Sequence, residues 1–353
     1  MFKNLLRVFA FIIIILILFI SYLSIFGIKT NKFNEIIKSQ IIKQDSRIKI
    51  DLDNVYVKLN IKEGSFSLNS KNVDIYILEE SQKIENINIL VKFISIFRNE
   101  NIFKKIIINS KENKIVNLLK FIRTYKLNIP TLYLENSIKK GNIVYNIIIN
   151  FENDEKLKLD ISGKIIDANL NFLDKEKIRN INTNFNYKDK KLSLTNLDLK
   201  YKNIIFYSND ISAKLDNNLI NVSGNFNNKL NLNLISSLFK YDIKKYLDEK
   251  IFFHSKSNFE ISFNNNFKID NYRLDTKIDL DEVQMNLEEI KLNNFISEFG
   301  NKIILKNGLL SLELDKNKTE INITSNYTFE KKDEPKEFLF SYSKNRSNEK
   351  YKF

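Results

Sequence analysis

The chain has 353 residues, 43% hydrophobic and 28% charged, with a formal net charge of +13. That is enough apolar material for one or two folded domains and too much for a disordered polymer. It holds no Cys, no Trp, one His, two Pro and seven Gly. These counts exclude disulfides, thiol catalysis, Fe–S ligation and Cys-based zinc sites, and they leave a Ser-His-Asp mechanism to His254 alone. No Gly-x-Gly-x-x-Gly or Walker run occurs, which removes the nucleotide-binding fingerprints. The positive charge is a weak pointer to nucleic acid. Only seven of the 56 basic residues are Arg, and the Lys are dispersed among abundant Asn and Ile instead of forming a basic block with interleaved aromatics. No nucleic-acid partner, cofactor or metal is expected, and no enzymatic activity.

Residues 1–7 read as a cytoplasmic tail. Val8–Ile28 follows without a charge, and at about 1.5 Å rise per residue this run matches a hydrocarbon core of about 30 Å. It is longer than a signal-peptide h-region and lacks an Ala-x-Ala-like site, so it reads as an uncleaved transmembrane signal anchor. Lysines on both flanks leave its orientation undecided by charge. A single span, a very short amino tail and a β-rich body place the body on the exported side. Residues 29–46 form a juxtamembrane segment, with an amphipathic helix over Asn31–Lys43 (Phe33, Ile36, Ile37, Ile41).

From residue 47 to 330 period-2 alternation dominates, with a sub-boundary near 126–131. Val73, Ile75 and Ile77 alternate with polar residues. So do Leu157, Leu159 and Ile161; Ile211, Ala213 and Leu215; and Leu230, Leu232 and Leu234. Further along, Phe259, Ile261 and Phe263 repeat the pattern, as do Leu310, Leu312 and Leu314. Each strand is therefore apolar on one face and wet on the other, as in an antiparallel sheet. Turns are written in Asn, Asp and Lys: Lys188–Lys190, Asp216–Asn218, Asn227–Asn228, Asn264–Asn266 and Asp315–Asn317. Two helices are predicted within the sheet, Asn113–Tyr125 and Ser236–Lys250. The alternation ends near Phe329, and residues 331–353, containing Pro335, read as a polar tail.

The predicted fold is thus mainly β: a transmembrane helix, then a long antiparallel meander with two or three short amphipathic helices. Two helices cannot cover roughly seventeen strands, which at about 4.8 Å spacing would extend on the order of 80 Å. The apolar face must close on itself or curl into a groove that another molecule fills. Leu159–Ile165 matches Ile220–Phe226 at an offset of 61 residues, and the shared glycines, Gly163 and Gly224, read as bend points.

The anchor Val8–Ile28, the strands Val55–Val57, Ser65–Leu68 and Val73–Ile77, and the Ser162-Gly163 and Ser223-Gly224 elements together resemble the AsmA-like family of bacterial envelope proteins. The likeness is to the amino-terminal part of its large anchored members. It implies a periplasmic β-groove fixed in the inner membrane, through which phospholipid acyl chains pass toward the outer membrane, with no catalytic residues. The alternating apolar residues named above, Leu157 through Leu314, would line that groove. The alternative function is a periplasmic scaffold or assembly factor for outer-membrane biogenesis, acting through contact with envelope proteins.

Other conspicuous residues have plain readings. His254 follows two Phe at a strand start and reads as a surface or structural residue. Asp51/Asp53 and Asp279/Asp281 are i, i+2 carboxylates on strand faces with Lys nearby, and read as solvated. The Asn-x-Ser/Thr sequons follow from the abundance of Asn.

Overall fold

Alternating apolar and polar side chains can bury one face only if their strands pair edge to edge, and pairing of sequential strands is what the chain adopts. The computed structural model describes residues 2–61, 63–92, 103–127, 129–151, 157–172, 176–202, 204–216, 219–231, 252–264, 268–286, 302–329, 334–345 and 348–352. Within them the protein is a long antiparallel meander with few helices. It divides into two compact units, Met1–Ile165 with Asn186–Asp189, and Ile166–Phe185 with Lys190–Phe353. The division falls within strands β9 (Leu157–Phe172) and β10 (Glu176–Lys188). The segment 126–131, where the sequence placed a sub-boundary, lies inside the first unit.

The first unit opens with helix α1 (Phe2–Ile25). Side chains in α1 are described continuously from Phe9 to Ile25, about 26 Å of helix, and among the described residues no helix is long and apolar enough to cross a membrane. Gly27, at φ +72°, ends the helix: its N–H and that of Phe26 both reach the Tyr22 carbonyl. The left-handed turn lets the chain pass directly into β1 (Ile28–Thr30). A Cβ there would lie 2.8 Å from the Val57 carbonyl oxygen. Lys58 Nζ donates to the Ile25 carbonyl at 3.2 Å, a cation at the negative end of the helix. Helix α2 (Lys32–Gln44) forms where the sequence predicted it, and buried Asn34 donates to the carbonyls of Leu52 and Asp53.

Strands β2 (Ile48–Asp51) and β3 (Val55–Asn60) pair along one edge of the longer β4 (Ser65–Ile77), and β1 pairs outside β3. On the other edge follow β5 (Glu80–Lys92), β6 (Phe103–Ser110) and β8 (Ile138–Phe151), with the short β7 (Asn113–Lys114) also on β8. The registers align Val57, Leu68, Ile89, Ile106 and Ile149 in one row across five strands. Helix α3 (Ile115–Tyr125) lies against β5 and β8 and buries Ile115 and Leu119. A further helix, α4 (Ile129–Ser137), packs on α3 and β8. On the opposite face Asn146 donates to Asn109, and Asn109 to Asn86 at 2.8 Å, a side-chain ladder that satisfies polar groups across three strands.

Tyr145 on β8 is buried, and burial pushes its hydroxyl up to about 12. The unfolded chain releases that proton near pH 10, so the folded form retains it while the unfolded form does not. Its contribution is complete below pH 10 and should be lost between pH 10 and 12, by roughly 2–3 kcal/mol. Urea unfolding at pH 9 and pH 11.5 should show a smaller alkaline loss in Tyr145→Phe than in the parent.

The second unit continues with β11 (Lys191–Tyr201), β12 (Ile204–Ser208), β13 (Ile211–Asp216), β14 (Leu219–Asn231), β15 (Phe252–Phe263), β16 (Ile269–Asn286), β17 (Lys302–Asp315), β18 (Lys318–Phe329), β19 (Lys336–Asn345) and β20 (Asn348–Lys352). From β13 to β20 each strand pairs antiparallel with the next. β12 and β13 lie end to end between β11 and β14. The β10–β11 hairpin turns on Asp189 and Lys190, both left-handed, as a two-residue primed turn requires. In the β17–β18 turn the Asp315 carboxylate accepts the N–H groups of Asn317 and Lys318 at 2.7 and 2.8 Å, which lowers its pKa.

Three expectations need correction. Residues 336–345 and 348–352 of the predicted tail are strands, because Phe338, Phe340 and Tyr342 alternate beyond Pro335. Asn227 and Asn228 are not a turn; they lie within β14, opposite Lys256 and Ser255. Of the two glycines read as bend points, only Gly224 stands at an irregularity, opposite Ile211 where β12 gives way to β13, and neither is left-handed. The left-handed residues of this region are Asp167, Asn180 and Asn196, at φ 48°, 52° and 50°. Asp167 and Asn180 each donate a backbone N–H to an Asn side chain of the facing strand. Asn196 stands beside the break between β12 and β13, and there the Asn225 N–H reaches the Asp210 carbonyl at 3.2 Å. A transverse crease therefore runs through successive strands, and Gly224 sits on it while Gly163 does not. The predicted helix Ser236–Lys250 lies outside the described residues.

Candidate functional site

Register decides whether alternating residues form one surface, and in the second unit it brings them together. Ile211, Gly224, Phe259, Leu274, Leu314 and Thr319 face one another across six strands, roughly 24 Å at the usual spacing. A second row runs Phe226, Ser257, Thr276, Leu312, Ile321 and Tyr342. A third runs Asn228, Ser255, Ile278, Leu310, Ile323 and Phe340. Toward the other end Ala213, Val222, Ile261 and Tyr272 align, and beyond them Leu215, Ile220 and Phe263. The predicted lining residues Ile211, Leu215, Phe259, Ile261, Phe263, Leu310, Leu312 and Leu314 thus share one face. Leu159 and Ile161 lie on β9, and Leu159 is exposed. Leu157 and Leu230 lie on β9 and β14. Leu232 and Leu234 fall outside the described residues.

Intervening residues make the other face polar. Glu260 opposes Arg273, Asp275 opposes Glu313, and Lys256 opposes Lys277. Ser262 and Ser341 donate to Asn221 and Asn322, each at 2.7 Å.

The apolar rows are mostly half-buried: Phe259, Ile261, Leu310, Leu312, Leu314, Ile321 and Ile323 all retain some exposure, and Leu215 is 51% exposed. Full burial occurs at one end, where Ile204, Phe253 and Val283 form a cluster joined by Phe206, Ile278, Leu280, Met285 and Leu305. Among its described residues the second unit contains no helix. The first unit differs, since α3 covers part of its sheet. Phe206, Phe226 and Phe259 form an aromatic strip, with ring centroids 5.8 and 5.2 Å apart. A small polar seam crosses the face: Ser255 donates to Asn228, and Thr276 to Ser257 at 2.9 Å, so these hydroxyls find partners within the sheet.

The remaining sequence candidates do not converge. His254 is exposed on the polar face, in register with Lys229 and Asp279. Asp51 closes β2 while Asp53 lies in the following link, so the two do not share a strand. Among the described residues no three His, Asp or Glu side chains form a group that holds a metal ion. Sequence reasoning missed the aromatic strip: its Phe lie on three strands, and only register unites them.

Comparison with known proteins gave no matching family model, no matching curated protein and no matching solved structure.

Proposed function

We propose that this is a single-pass bacterial envelope protein without catalytic activity. Its uncovered apolar sheet face binds phospholipid acyl chains and conducts or shields them between the inner and outer membranes. One observation carries the reading: rows led by aliphatic and aromatic side chains, unbroken over three or four strands and interrupted by a polar seam, lie in register on one face, keep partial exposure, and are backed by a charged face. Such a surface gains about 2.5 kcal/mol for every 100 Å² of apolar area a lipid tail removes from water. Six strands exceed the ~15 Å that one acyl layer occupies in a bilayer core. The anchor in this reading rests on the sequence, where Val8–Ile28 runs without a charge for about 30 Å at 1.5 Å per residue, the thickness of a hydrocarbon core. In α1 the Phe, Ile and Leu side chains from Phe9 to Phe19 are exposed, as an inner-membrane anchor requires. The resemblance to AsmA-like proteins and the β-rich body support placing the body in the periplasm.

Side-chain alternation supplies the test. Benzophenone side chains at Ile261 and Leu312 in the membrane-embedded full chain should photo-cross-link phospholipid, while the same probe at Glu260 and Glu313 should not. Equal lipid yield on both faces, or none on either, would overturn the proposal. Protein adducts alone at Ile261 and Leu312 would also overturn it, in favour of a scaffold or assembly factor that docks envelope proteins.

A further inference from the structure

The first unit carries an exposed apolar surface of its own. On the α3–α4 hairpin Ile122, Tyr125, Leu127, Leu132, Tyr133 and Leu134 are all exposed, Leu127 at 72%. They sit on two helices that pack on each other, and on the link between them. The same stretch is strongly basic: residues 111–140 contain seven Lys or Arg and only two acidic residues. Both acids are engaged. Glu135 accepts the Arg123 guanidinium at 2.6 Å, and Glu112 accepts from Asn142. Lys120 lies on α3 and Lys126 just past its end, Lys139 and Lys140 follow α4 in β8, and Arg47, paired with Asp45, lies over the Tyr125 ring at 5.6 Å.

We infer that the α3–α4 hairpin is a peripheral docking surface for an anionic lipid bilayer. Apolar side chains that enter the headgroup boundary, Tyr at the interface and Lys around the rim are what such a surface demands. Charge selects the occupant, since the stretch is net positive and its two carboxylates are already satisfied. Arg47 immediately precedes β2, and β2 and β3 share one edge of β4. The end of α1 is tied to that same edge through β3. The two lie at different points of that edge: Arg47 leads into β2 beyond Ile77 of β4, and the end of α1 sits beside Lys58, which faces Ser67. The hairpin and the apolar face of the second unit are tested independently of each other.

The absence of Trp makes the test direct, because Leu127→Trp introduces a sole indole at an exposed link position. The full-length variant is reconstituted in phosphatidylcholine vesicles with or without roughly 30% phosphatidylglycerol, an anionic surface, and circular dichroism verifies its strand content. Brominated acyl chains should quench the indole of Leu127→Trp at least about twofold more in the anionic vesicles, as polybasic attraction predicts. Adding Lys120→Glu and Lys126→Glu should remove that difference. Ile205→Trp, on an exposed position of β12, should show little quenching in either membrane. Quenching in Leu127→Trp no greater than in Ile205→Trp, or indifferent to phosphatidylglycerol, would overturn the inference, whether or not lipid cross-links form at Ile261 and Leu312.

Discussion

Leu312→Glu should abolish acyl-chain capture while changing folding stability by no more than about 1 kcal/mol, the range of a substitution that leaves its new charge solvated. Leu312 stands in register between Thr276 and Ile321 and is only half-buried. In the unliganded sheet a carboxylate at this position keeps its water. A lipid tail lying over it would have to strip that water away, at a cost of several kcal/mol. That exceeds the gain from covering one side chain, so cross-linking at Ile261 should fall by at least about 100-fold in affinity terms. Ile84→Glu is the matched control. Ile84 is 2% exposed in the first unit, and a charge there has no route to solvent, so the protein should lose more than about 4 kcal/mol and fail to fold. Urea titration distinguishes the two variants. Unfolding of Leu312→Glu to the same extent as Ile84→Glu would mean that the face is covered in the native protein, as a closed sandwich requires.

That contrast marks what alternation conveys and what it omits. Period 2 assigns Phe259, Ile261 and Phe263, or Leu310, Leu312 and Leu314, to one face of their own strand, because a strand has only two faces and a one-residue slip would expose every apolar side chain, while register decides which of them face one another across strands. Alternation does not reveal whether a face is covered. The first unit is as regularly patterned as the second, yet α3 sits over part of it and buries Ile115 and Leu119. Helix α4 escaped the sequence reading, which placed a sub-boundary near 126–131 and no helix beyond it. Proline is tolerated in the first turn of a helix, and that is where Pro130 lies. The strands β19 and β20 were hidden by Pro335 and the surrounding Lys and Glu, although Pro335 precedes β19 and removes no ladder bond from it. The crease was illegible for another reason. Asn is so frequent that Asn180 and Asn196, which adopt the left-handed conformation, cannot be distinguished in sequence from the many Asn that do not. By contrast Asp189-Lys190 and Asp315–Asn317 were legible as turns, because they interrupt alternating runs on both sides.

The crease gives the second large effect. Gly224→Val should destabilise the protein by about 2–4 kcal/mol, at the upper end of overpacking costs. A Cβ on Gly224 would stand 2.6 Å from the Asp210 carbonyl oxygen, 2.8 Å from Ile211 Cγ1 and 2.9 Å from Ile211 Cα. Two of those three atoms are backbone, and they belong to the point where β12 gives way to β13 opposite β14. Relief would require parting strands that are hydrogen-bonded through Asn225 N–H to the Asp210 carbonyl. Asn196→Ala creates no such collision; it forces a residue with a Cβ and no compensating side-chain polarity into φ 50°, which costs about 1–2 kcal/mol. Gly163, though aligned with Gly224 in the repeat, is not left-handed and lies four residues before the left-handed Asp167. Gly163→Ala should therefore be neutral or slightly stabilising, as Ala is relative to Gly in an ordinary strand. Equal losses at Gly163 and Gly224 in urea unfolding would show that the repeat, not the crease, sets where glycine is required.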